Sequence, residues 1–80
     1  GVRTPEQLHA AAEEQEQVRA VLARLNARQA ELLVLRADGL SYEELAATLR
    51  LSQASVGTLL TRAQKAFKKD YLRHYGKPRY

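Results

Sequence analysis

The stretch SYEELAATLRLSQASVGTLLTRAQKAF, Ser41 to Phe67, decides how this chain folds. Ser41 and Glu44 stand three apart ahead of an apolar run. That is the spacing of a capping box, in which hydroxyl and carboxylate each satisfy a free amide at a helix start. A helix over roughly Tyr42 to Arg50 then buries Leu45, Ala46 and Leu49. After a short turn at Leu51, Ser52 can cap a longer helix running to about Leu72. Its apolar residues Val56, Leu60, Ala63 and Phe67 recur at the spacing of one helix face. Ala46 is small enough for the second helix to cross there, and Leu45, Leu49, Leu51 and Val56 are placed to pin the crossing. This is the spacing of a helix-turn-helix, a motif whose second helix can enter a major groove. Gly57 is the anomaly, because Gly inside a helix costs about 1 kcal/mol relative to Ala.

Working outward, Thr4 and Pro5 read as the cap and first position of an earlier helix. Its expected apolar stripe is Leu8, Ala12, Val18, Leu22 and Leu25, interrupted by Gln15, with Glu13, Glu14 and Glu16 on the opposite side. Asn26 can cap a helix from about Ala27 to Asp38 carrying Leu32, Leu33 and Leu35, and Gly39 suits a left-handed stop. No strand pattern or internal repeat is present. The expected fold is all-α, a small four-helix domain with a C-terminal helix-turn-helix. Residues 1–4 read as a linker remnant, 5–72 as the domain, and 73–80 as a basic, loose tail.

Composition narrows the function. Eighty residues suit one small domain, which buries only about 60% of its unfolded surface. Neither disulfides nor thiolate metal sites are possible without cysteine. No apolar run approaches the roughly 20 residues of a membrane span, so a membrane partner is not expected. The lack of cysteine fits a reducing compartment, and a cytoplasmic location is expected. The net charge of +4 is unevenly placed. Residues 1–40 hold five basic and six acidic groups, and residues 41–80 hold eight basic and three acidic. One end should therefore be electropositive, as nucleic acid or an acidic partner favours. His9 and His74 stand alone, and Glu13, Glu14 and Glu16 read as a solvated face. Catalytic residues, a metal and a cofactor are not expected.

On the last helix, Gln53, Ala54, Gly57, Thr58 and Thr61 fall on the face away from Val56, Leu60 and Ala63. Small polar residues let a helix backbone approach base edges, and Gly57 is expected to allow the closest approach. Arg62, Lys65, Lys68 and Lys69 follow, suited to phosphate contacts that hold the helix in register.

From Val18 to about Leu72 the chain resembles region 4 of bacterial sigma factors, most closely the extracytoplasmic-function group. The segment LNARQAELLVLRADGLSYEELAATLRLS carries the resemblance, through Arg28-Gln29, Arg36, Gly39 to Glu44, and Ala46. Ser52, Val56, Leu60, Arg62-Ala63 and Lys65 continue it without a gap. The resemblance implies recognition of the promoter −35 element, docking on the β flap of the RNA polymerase core, and in some cases capture by an anti-sigma factor. It places Tyr42 and Glu43 at the DNA backbone and groove edge. Ser55, Thr58, Thr61 and Arg62 match recognition-helix contact positions, and Arg28 and Arg36 match basic positions beside the DNA backbone.

Two departures stand out. Gly57 and Leu59 replace a Lys and an Arg of the family pattern, removing two candidates for base reading. Arg50 stands where the turn normally has Gly, which predicts a positive φ for a non-Gly residue. Leu59 could face a partner, although burial beside Leu60 is the reading the pattern favours. Two other readings compete: a protein-interaction module bound by an anti-sigma factor or polymerase subunit without strong DNA binding, and a LuxR-type response-regulator output domain. The latter usually opens its helix with Asn-Lys-Glu-Ile-Ala rather than Ser-Tyr-Glu-Glu-Leu-Ala.

Overall fold

The computed structural model describes residues 4–76, and these form four α-helices: α1 (Pro5–Arg24), α2 (Ala27–Ala37), α3 (Tyr42–Leu49) and α4 (Gln53–Tyr75). Each begins on the residue that local chemistry favours. Thr4, Asn26, Ser41 and Ser52 all accept a hydrogen bond from an otherwise unpaired amide of the first turn. At Ser41 the box is reciprocal: the Ser41 amide donates to Glu44 at 2.9 Å and the Glu44 amide donates to the Ser41 hydroxyl at 3.1 Å. The bond from the Ser41 amide, with the Ser41 hydroxyl adding to it, holds the Glu44 carboxyl below its usual range. No helix among the described residues is long and apolar enough to cross a membrane.

Helix α4 is the spine, since α1, α2 and α3 all pack on it. The core gathers Leu32 from α2, Leu45 and Ala46 from α3, and Val56 and Leu60 from α4, ringed by Leu35, Leu40, Leu49, Leu51 and Leu59. Ala46 lies in this cluster, where its small side chain lets α3 and α4 approach. Leu59 is half-buried against the same cluster, so it serves the core and is not left open to a partner.

Helix α1 departs from the expected stripe. Leu8 is 56% exposed and Val18 38% exposed, while Val21, one position round the helix from Leu22, is fully buried. Polar tethers set this rotation. Gln17 accepts from the Tyr71 hydroxyl at 3.0 Å, and the Arg24 guanidinium grips Asp70 through Nε at 2.9 Å and Nη2 at 2.7 Å. The C-terminal half of α4 offers α1 a carboxylate and phenol groups. The face of α1 able to bond them therefore turns inward, and most of the aliphatic stripe turns out.

Helix α4 runs three residues past its expected end at Leu72, so Arg73, His74 and Tyr75 are helical. The reason is an aromatic ladder at four-residue spacing: Phe67 to Tyr71 at 6.2 Å between centroids, then Tyr71 to Tyr75 at 5.3 Å. Arg24 adds a cationic cover over the Tyr75 ring at 5.7 Å. Gly76 ends the helix at φ 74. The remainder of the expected tail, 77–80, and most of the expected linker, 1–3, lie outside the described residues.

The Arg24 bridge gives the fold an acid limit. Asp70 is held below the ordinary carboxylate range, chiefly by its hydrogen bonds from Arg24. A depressed carboxyl stabilises the fold above its unfolded pKa, and that stabilisation is lost as pH falls through the lower folded value. The loss window thus opens just below about pH 4, the unfolded Asp value. Asp70→Asn should remove this component, flattening the fall in thermal midpoint between neutral and acid pH. An unchanged acid profile in the variant would show that the bridge contributes nothing.

At the turn between α3 and α4, Arg50 takes φ 56 and ψ 47, the left-handed conformation its position demanded. This closes α3 and lets the Leu51 amide donate to the Ala46 carbonyl at 2.9 Å. A side chain in that conformation costs roughly 1–2 kcal/mol, partly offset by the backbone entropy Gly would lose. Arg50→Gly is expected to raise unfolding free energy by about 0.5–1 kcal/mol, measured by urea titration. A loss of stability would mean the Arg50 side chain makes contacts that outweigh the strain.

Candidate nucleic-acid interface

Val56, Leu60 and Ala63 point α4 into the core, so geometry fixes what remains outside. Ala54, Thr58, Thr61, Arg62, Lys65, Lys68 and Lys69 are all exposed, and they share the opposite side of the helix. Gln53 is exposed in the first turn. The front of α4 is thus short and uncharged, and its middle is cationic. The Thr61 hydroxyl donates to the Gly57 carbonyl at 2.9 Å, which fixes its rotamer.

Three expected site residues have other work in the structure. Ser55 is half-buried, its hydroxyl 2.6 Å from that of Ser52, so it belongs to the helix cap. Arg28 is exposed but donates to the Leu49 carbonyl at 3.1 Å, tying the start of α2 to the end of α3. Arg36 donates to the Leu40 carbonyl at 2.8 Å and lies over the Tyr42 ring at 5.4 Å. Glu43 is exposed in the first turn of α3 and takes no part in the capping box, which uses Glu44.

Gly57 differs most from expectation. It is half-buried, and a Cβ placed on it would meet Cε2 of Tyr42 at 3.6 Å. The Tyr42 ring lies beside that position, at a distance that would still admit a methyl group, so Gly57 sits at the edge of the free face of α4. Nothing local announces this contact, because Tyr42 and Gly57 lie on different helices with no shared period. The signal available in the sequence was the Gly itself, a costly residue inside a strong helix.

The elements therefore meet as a helix-turn-helix: α3 lies across α4, and α4 presents a free face ending in four basic residues. The family described as Sigma-70, region 4 matches residues 15–67, more than half of the chain, and the match spans all of α2 and α3 and the exposed front of α4. The chain belongs to the Sigma-70 region 4 family. No curated protein and no solved structure matches the chain significantly. In general terms, membership in the region 4 family implies promoter −35 recognition and interaction with RNA polymerase, in a regulatory and non-enzymatic role. In this region 4 domain, the match begins inside α1 at the segment that packs on α4, and omits the exposed first turns of α1.

Proposed function

We propose that the chain is the sequence-reading DNA-binding domain of a sigma factor of the extracytoplasmic-function type. Helix α4 enters the major groove of the promoter −35 element. The observation that carries this reading is the unobstructed face of α4, whose front is small and polar and whose middle is basic. Gln53, Thr58 and Thr61 meet base edges, with Gln53 able to bond an adenine in bidentate fashion. Arg62, Lys65, Lys68 and Lys69 hold phosphates on one side of the groove. Arg28, Arg36, Tyr42 and Glu43 lie toward the backbone and groove edge on the other, as the resemblance implies. Ser55 and Gly57 contribute through the cap and the Tyr42 contact and do not touch bases.

The polymerase β flap docks away from α4, and the outward aliphatic residues of α1, Leu8 and Val18, together with Val34 of α2, provide exposed apolar area for it or for an anti-sigma factor. Such a domain acts in the cytoplasm beside RNA polymerase. Selection of bound duplexes from a random pool, with and without polymerase core, tests the reading. A recurring −35-like sequence supports it, strengthened when core is present. Failure to enrich any sequence under both conditions overturns it in favour of a protein-interaction module.

A further inference from the structure

Three elements converge beside the front of α4. Tyr42, the first residue of α3, brings its ring beside Gly57, with Cε2 3.6 Å from where a Cβ would stand. On that ring rests the guanidinium of Arg36 from α2, 5.4 Å from the centroid, while its Nη1 donates to the Leu40 carbonyl at 2.8 Å. Arg36 is thereby held from two directions, by a ring face and by a backbone carbonyl. A guanidinium has five N–H donors, so one such bond leaves most of them unused. The ion pairs among the described residues all lie on α1 or α4, so no carboxylate neutralises Arg36. Tyr42 remains 43% exposed, and its hydroxyl has no hydrogen-bond partner among the described residues.

We infer that Gly57, Tyr42 and Arg36 form one composite phosphate clamp, in which the small residue at position 57 leaves room for the ring and the ring aims Arg36 at a DNA phosphate. The inference rests on the DNA-binding reading of α4 and adds what that reading lacks: a reason for a small residue at position 57. A longer side chain there would occupy the position of the ring and release Arg36. Gly57 and Arg62 are about 140° apart around α4, at 100° per residue. The clamp and the Arg62 side chain therefore flank the groove-facing front on opposite sides, one for each sugar–phosphate wall. In this arrangement Arg36 is the contact, and Tyr42 and Gly57 are positioning residues.

The test is the salt dependence of binding to a duplex recovered in the selection above, because each neutralised phosphate adds about 0.9 to the slope of log affinity against log salt. Arg36→Ala should reduce the slope by about 0.9. Tyr42→Ala should reduce it by the same amount although tyrosine is uncharged, and the double variant should lose no more than either single change. Tyr42→Phe keeps the ring and should keep the slope. Gly57→Ala should also keep it, since the added methyl meets the ring at an ordinary 3.6 Å contact. Gly57→Leu should behave as Tyr42→Ala, and it carries the test should Arg36→Ala fail to fold. A Tyr42→Ala or Gly57→Leu variant that is folded by circular dichroism and keeps the full slope overturns the clamp. A wild-type chain that binds no duplex overturns the DNA-binding reading first.

Discussion

Leu45→Ala is expected to remove a large part of the stability of this domain. Leu45 is fully buried and lies in one cluster with Leu32, Ala46, Val56 and Leu60, so it joins α3 to both α2 and α4. Truncating such a leucine costs about 2–5 kcal/mol, made up of lost transfer energy and the cavity left behind. At roughly 0.05–0.15 kcal/mol per residue, a chain of this length holds about 4–12 kcal/mol in total. The largest cost falls on the motif, because α3 is eight residues long and too short to persist without packing. Urea unfolding followed by helical circular dichroism measures the change. Val34→Ala is the control, since Val34 is 43% exposed and its loss should shift stability by no more than about 0.5 kcal/mol. If Leu45→Ala cost less than about 1 kcal/mol, α3 would not be docked as described.

Replacing Arg62 and Lys65 together with Ala is expected to produce the largest loss of DNA affinity. Both are exposed on the free side of α4 and have no ion-pair partner among the described residues, so their removal should leave the fold intact. The four basic residues on this face should contribute about −3.6 to the slope of log affinity against log salt, and Arg36 about −0.9 more. Removing two contacts should make the slope about 1.8 less steep and weaken binding at 0.1 M salt by about 60-fold, relative to their vanishing contribution at 1 M. The loss should be nearly equal across duplex sequences, because phosphate contacts position the helix and base contacts choose the sequence. Anisotropy titrations at several salt concentrations give both numbers. A slope unchanged by the double replacement would remove Arg62 and Lys65 from the DNA.

What could be read along the chain was whatever is encoded by neighbours. A cap and its amide are three residues apart, a buried helix face repeats within two turns, and a left-handed stop needs only its own residue. Hence all four helix starts, the crossing at Ala46, the positive φ of Arg50 and the helix-turn-helix itself were visible in the order of residues. The free face of α4 was visible for the same reason, since Val56, Leu60 and Ala63 leave only one side outward. Hydrophobic spacing failed on α1, where it marked Leu8, Ala12 and Val18 and passed over Val21. Spacing reports which residues could be buried together but not which partner they will meet.

Those partners lie far away in the chain. Arg24 meets Asp70 and Gln17 meets Tyr71, pairings that rotate α1, while Tyr42 lies beside Gly57 and carries Arg36. Local order thus settled the helices, their starts and the motif, because those depend on hydrogen bonds and apolar repeats within a few residues. The packed structure alone decided the orientation of α1 and the meeting of Gly57, Tyr42 and Arg36. Each of these follows from contacts between distant side chains, whose geometry exists only after the helices have docked.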